Sequence, residues 1–232
     1  MAEPAFEGLR SLCGGALPRL VIFDLDGTLI DSVPDIARAV DRTLLALGLA
    51  PVGAARVRGW VGRGSRRLLG DAVAAAAGGA APPQPLLDAA LAFYLEDYLA
   101  DCVRETRLFP GARELLRALG EAGVLRACVT NKPAAITGRI LDGLGLSAEF
   151  ACVVGGDSGA GVKPAPGPLL RAMEALGTGA EGTVMVGDSR HDVEAARAAQ
   201  VPVACVRGGY NHGEDIRLTA PDRVLASLLE LL

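Results

Sequence analysis

The chain is constrained above all by a rhythm that breaks once. Five short apolar runs rich in β-branched residues recur along it: LVIFD (20–24), VLRACVT (124–130), FACVVGG (150–156), TVMVGD (183–188) and VPVACV (201–206). Continuous apolar runs of this length suit strands buried on both faces. Helical patterns over 111–122, 133–144, 166–177 and 190–199 separate the later ones. Strand alternating with helix predicts an α/β fold, a doubly wound parallel sheet. The first interval does not keep time. About a hundred residues separate the first run from the second, whereas a parallel crossover needs roughly a dozen.

The excess, residues 34–105, has helical character throughout. Ser32 and Asp35 form an S-x-x-D capping signal with Pro34 in the first turn. SRRLLGDAVAAAA (65–77) and LLDAALAFYLEDYLADC (86–102) continue as helices, parted by PPQP at 82–85. The expected organisation is a flexible extension over 1–19, a catalytic core formed by 20–33 and 106–232, and an inserted helical cap over 34–105. A cap entering directly after the first strand can lie over that strand's tip.

Half of the residues are apolar and 22% are charged, which gives a core and not a disordered chain. A net charge of −4 supplies neither the basic footprint of a nucleic-acid binder nor a polybasic membrane patch. No apolar run approaches a membrane span. The five cysteines, Cys13, Cys102, Cys128, Cys152 and Cys205, form no CxxC pair. They read as small buried hydrophobes in a reducing cytoplasm. The partners this leaves are small molecules, with a monomer or a homodimer as the assembly.

Ligands of open α/β sheets sit beyond the carboxyl ends of the strands. There the first run delivers Asp24 and Asp26, the second Thr130-Asn131-Lys132, the third leads to Lys163-Pro164, and the fourth ends Gly187-Asp188-Ser189 with Asp192 a turn later. Taken singly, each is commonplace: a DxD is often a loop and a Lys-Pro is often surface. Together they place four carboxylates, a hydroxyl and an ammonium at one end of the sheet. Carboxylates so placed repel, each close pair by roughly 4 kcal/mol at an effective dielectric of 20. A cation relieves this, and an all-oxygen donor set points to a hard metal, Mg²⁺ first. Metal on one side and donors on the other make a cradle for a phosphoryl group.

DLDGTLIDS, VTNK, VKPAP and VGDSRHD together resemble the four motifs of the haloacid dehalogenase-like hydrolase superfamily. RGWVGRGSRRLL (58–69) and GYNHGEDI (209–216) resemble bacterial phosphoglycolate phosphatases. The resemblance implies an α/β core with a helical cap, and Mg²⁺-dependent hydrolysis of 2-phosphoglycolate, a small phosphorylated metabolite, to glycolate and phosphate. It implies Asp24 as nucleophile and Asp26 as general acid and base. It implies Asp24, the main-chain carbonyl of Asp26, and Asp188 as metal ligands, with Asp192 supporting them. Thr130, Asn131 and Lys163 would then bind the phosphoryl group. A cis peptide at Lys163-Pro164 is expected.

The chain departs from the family pattern at Val162 and Ala165, where lysine and histidine are common, and in WVGRG where WVGNG is common. Substrate choice is where these departures bear. Arg63 and Arg66, beside two glycines in the cap, are the candidate readers of a substrate carboxylate, since a guanidinium offers paired donors. Alternatives from other classes are a phosphatase or phosphomutase for a sugar or amino-sugar phosphate, and an inactive binding protein on the same fold. A receiver domain is excluded by length and by the oversized crossover.

Overall fold

The computed structural model describes residues 6–232. Its centre is a six-stranded, wholly parallel sheet. In chain order the first strand is β1 (Leu20–Phe23), followed by the short β2 (Ile30–Asp31) and β3 (Arg107–Leu108), which pair only with each other. Then come β4 (Leu125–Val129), β5 (Cys152–Val154), β6 (Thr183–Gly187), β7 (Val203–Val206) and β8 (Arg223–Leu225). The sheet runs β5-β4-β1-β6-β7-β8. The chain therefore winds outward from β1 to one edge, returns, and winds to the other. The reversal lies between β1 and β6, where such sheets open a crevice for ligands.

The apolar runs become central strands because both faces are covered. Along β1, Val21 and Phe23 enter one core while Leu20 and Ile22 enter the other. β7 divides likewise, Ala204 and Val206 from Val203 and Cys205. All five cysteines are free thiols. β8 carries no comparable apolar signal: Arg223 and Val224 are only half-buried at the sheet edge. No helix among the described residues is long and apolar enough to cross a membrane.

Four helices stand between β2 and β3: α2 (Val33–Ala46), α3 (Ala54–Arg58), α4 (Ser65–Ala76) and α5 (Gln84–Ala100). α2 packs on the other three. The core helices are α6 (Ala112–Glu121), α7 (Ala134–Gly143), α8 (Gly167–Ala175) and α9 (Arg190–Ala198). One helix precedes the sheet, α1 (Glu7–Leu12), inside the stretch expected to be a flexible extension. Phe6 and Leu9 are buried, and the backbone N–H of Phe6 donates to the Leu232 carbonyl. The Phe6-Leu9-Leu12 stripe at helical spacing packs on the core. Residues 1–5 lie outside the described residues.

The S-x-x-D signal is also put to another use. Ser32 is the N-cap of α2 but makes no capping hydrogen bond. Asp35 instead spans the base of the helical insertion. Its carboxylate accepts from the N–H groups of Glu105 (3.0 Å) and Thr106 (2.8 Å) and from the Thr106 hydroxyl (2.8 Å), and it pairs with Arg38 (2.6 Å). The entering and leaving chains are thereby joined through one buried side chain.

Burial works to raise the Asp35 carboxyl, but the Thr106 hydroxyl, the two N–H groups and Arg38 outweigh it and hold it below its usual range. A depressed folded-state value contributes stability that is complete above the unfolded value near ~4 and lost as pH falls through the folded value. Asp35→Asn is therefore expected to lower the melting temperature at neutral pH. Its deficit should shrink on acidification, checked by melts from pH 7 to 3. A deficit independent of pH would show that the charge is not what holds the linkers.

Candidate active site

β1 ends in buried Phe23, and the next residues leave the sheet. The Asp24 N–H still bonds the Val186 carbonyl of β6 at 2.9 Å, which fixes that carboxylate at the crevice. The chain then turns tightly: Leu25 O accepts from the N–H groups of Thr28, Leu29 and Ile30, and Gly27 N–H donates to Ile30 O. Gly27 has φ 91°, and a Cβ there would strike the Asp188 carboxylate. Only glycine satisfies both conditions.

The turn sorts the two acids. Asp24 Oδ1 lies 2.7 Å from Lys163 Nζ, which also reaches Asp192 Oδ1 at 2.6 Å. Asp26 faces elsewhere: its Oδ1 accepts from Ser32 Oγ at 2.5 Å and from Lys132 Nζ at 2.8 Å. Asp188 follows β6 and accepts from Thr28 Oγ1 (2.9 Å) and from the Tyr210 N–H. Asp192 reaches back from the first turn of α9, its Oδ2 accepting from Ser189 Oγ (2.8 Å) and the Ser189 N–H (3.0 Å) in a capping box.

The electrostatics follow from burial. Asp24 is pushed up to about 6 by burial, against the pull of Lys163 and with repulsion from Asp192 and Asp26. Burial, then repulsion from Asp192 and Asp24, carries Asp188 well above the carboxylate range. Burial also works to raise Asp192, but Lys163 and the Ser189 hydroxyl outweigh it and hold the group low. The Lys163 ammonium is kept protonated by Asp192 and Asp24 despite its burial. Asp24 and Asp188 thus sit in a site short of positive charge.

Asp24, Asp188 and Asp192 each offer a carboxylate oxygen, all within 4.8 Å of one another. A buried all-oxygen set of this kind fits a hard divalent cation. The Asp26 side chain is not in that cluster. Both Asp192 oxygens already hold donors, which suits a supporting place.

Thr130 and Asn131 follow β4 and line the same pocket as these acids. Asn131 Oδ1 accepts from Lys163 N–H at 2.8 Å, while Nδ2 donates to Lys163 O and to Gly62 O, both at 2.9 Å. The Lys163-Pro164 bond is cis.

Arg63 and Arg66 are not brought to this pocket. Arg63 pairs with Asp71 at 3.0 Å and Arg66 with Asp88 at 2.8 Å. Both line a separate surface hollow with Arg67 and Leu87. The glycines do reach the pocket, Gly62 and Gly64 with Ser65 at the start of α4. The tight loop that admits the glycines turns the arginine between them toward Asp71.

Sequence reasoning gave no site role to Ser32, Lys132, Tyr94, Tyr98, His191 or Tyr210, all near or lining the pocket. Tyr94 and Tyr98 are four apart on α5, a spacing that marks one helix face. Lys132 closes the VTNK motif, of which only Thr130 and Asn131 were given a role.

The haloacid dehalogenase-like hydrolase model matches residues 21–206. The chain is 44% identical over 226 residues to a phosphoglycolate phosphatase of Pseudomonas putida, covering 97% of this chain and 83% of the relative. It is 41% identical to one of Nitrosococcus oceani, covering 92% and 95%. A crystal structure described as a predicted phosphoglycolate phosphatase from Haemophilus somnus superposes with a TM-score of 0.87 at 30% identity, covering 92% and 96%. The chain belongs to the haloacid dehalogenase-like hydrolase family, among its phosphoglycolate phosphatase members, and is a phosphoric monoester hydrolase.

Proposed function

We propose that the protein hydrolyses 2-phosphoglycolate to glycolate and inorganic phosphate through an aspartyl phosphate on Asp24. The separation of the two acids carries this reading. Asp24 stands with Lys163 and the carboxylate cluster, whereas Asp26 is held apart by Ser32 and Lys132. A nucleophile belongs with the groups that bind phosphoryl oxygens, and a proton donor belongs on the leaving-group side. The choice of 2-phosphoglycolate rests on the named relatives. The free cysteines suit a reducing cytoplasm.

In the first half-reaction an Asp24 oxygen forms a bond to phosphorus and the ester P–O bond breaks. Asp26 gives its proton to the departing glycolate oxygen. In the second half water attacks phosphorus, Asp26 takes the water's proton, and the acyl–phosphate P–O bond breaks to release phosphate and free Asp24. Lys163, with Thr130 and Asn131 beside it, neutralises and orients the phosphoryl oxygens. Asp24, the Asp26 carbonyl and Asp188, backed by Asp192, would hold Mg²⁺. When bound, the ion supplies charge neutralisation to the phosphoryl group.

The test is a substrate panel run with EDTA and with added Mg²⁺. Activity should vanish with the chelator and return with the metal. 2-Phosphoglycolate should have a higher kcat/KM than sugar or amino-sugar phosphates. A sugar phosphate leading the panel would reassign the substrate, and transfer of phosphate within a sugar would make the protein a mutase.

A further inference from the structure

Arginine supplies the positive charge almost everywhere in this chain. Of its 23 basic residues only two are lysines, Lys132 and Lys163. Both are buried, at 7% and 3% exposure, and both line the same pocket. A chain that uses guanidinium at all its other basic positions places both of its lysines in the lining of one pocket. Lys163 faces the nucleophile. Lys132 has so far been given a place beside Asp26 and no contact with the substrate.

Lys132 Nζ lies 2.8 Å from Asp26 Oδ1 and 3.0 Å from the Tyr98 hydroxyl, and 4.9 Å from the centre of the Tyr98 ring. Tyr94 lies beside Tyr98, ring centres 5.5 Å apart. The ammonium thus sits on the Asp26 side of the pocket, under a roof of two phenols from α5. The phosphoryl cradle has its own cation in Lys163, which Asp24 and Asp192 hold beside the nucleophile. An ester that carries a second anionic group brings further negative charge among four buried carboxylates. Arg63 and Arg66 are committed to Asp71 and Asp88 outside the pocket.

We propose that Lys132 is a specificity-determining residue that reads the second anionic group of the substrate, a carboxylate, while Lys163 serves the phosphoryl group. An ammonium has three donors. Asp26 and Tyr98 occupy two of them, and the third is available to a ligand in the pocket without breaking either contact. The compact head suits this confined place between a carboxylate and an aromatic face better than a guanidinium fork.

This assignment rests on the reading that the substrate is 2-phosphoglycolate, and the experiment separates the two. kcat/KM is measured for 2-phosphoglycolate and for 2-hydroxyethyl phosphate, which has the same length with an alcohol in place of the carboxylate. Wild type is expected to favour the carboxylate. Lys132→Met should slow both substrates, since Asp26 loses a partner, but the ratio between them should fall by about 10- to 150-fold, the size of one charged hydrogen bond. A wild-type enzyme with no preference overturns the substrate reading and this assignment together. A clear wild-type preference that Lys132→Met retains overturns the assignment alone and leaves Lys132 as a partner of Asp26. Should the variant not fold, ε-¹³C-lysine labelling of Asp24→Asn gives two side-chain signals to follow. The Lys132 signal should move with 2-phosphoglycolate well beyond its response to 2-hydroxyethyl phosphate, and equal responses overturn the proposal.

Discussion

Asp24→Asn is expected to leave less than about one per cent of wild-type turnover on 2-phosphoglycolate, a barrier raised by at least ~2.7 kcal/mol. The amide matches the carboxylate in shape but is a poor nucleophile and carries no charge. Folding should survive. Lys163 keeps Asp192 at 2.6 Å when the Asp24 charge is removed, and the repulsion that Asp24 exerts on Asp188 is relieved. The measurement is steady-state hydrolysis beside a thermal melt. A correctly melting variant that keeps several per cent of the rate would rule out a covalent path through Asp24.

Asp26→Asn should cost about 10²–10⁴-fold on 2-phosphoglycolate, the usual range for losing a positioned acid–base group. Its signature depends on the leaving group. Glycolate departs as an alkoxide and needs a proton, so the first half-reaction stalls. Para-nitrophenolate needs none, so that half is spared while the water step remains slow. Rapid mixing of this variant with para-nitrophenyl phosphate should give a burst of nitrophenolate equal to the enzyme present, then a slow phase. A uniform slow rate with no burst would place the proton donor elsewhere. Ser32 and Lys132 can both still donate to the new amide oxygen, so local geometry should hold.

The core was legible because its signals are local. Both faces of β1, β6 and β7 are buried, so period-free apolar runs mark them, and β1 and β6 are each followed directly by an aspartate that the sheet carries to one rim. β8 was missed because an edge strand of three residues with two half-buried positions has no such run. α1 was missed because Gly and Pro nearby hid a stripe of three apolar residues. Ser32 and Asp35 were read as a helix cap, the local meaning of their spacing. Their actual partners, Asp26 for one and Thr106 for the other, come from the turn and from a segment 71 positions away. Arg63 is placed away from the pocket for the same reason in reverse. Its position between glycines was correct, but the direction of its side chain was decided by Asp71, eight residues on along α4.

The Asn131 amide has a consequence beyond positioning. Its two Nδ2 hydrogens go to Gly62 O, on the inserted helices' side, and to Lys163 O, while its oxygen receives Lys163 N–H. One planar group therefore joins the loop over the pocket to the backbone of Lys163, the lysine proposed to bind the phosphoryl group. Thermodynamic linkage makes such a joint reciprocal. A ligand that steadies Lys163 favours the seated Gly62 loop by the same free energy with which the seated loop steadies Lys163. Occupancy of the anion cradle and attachment of the overlying loop are then two readings of one equilibrium.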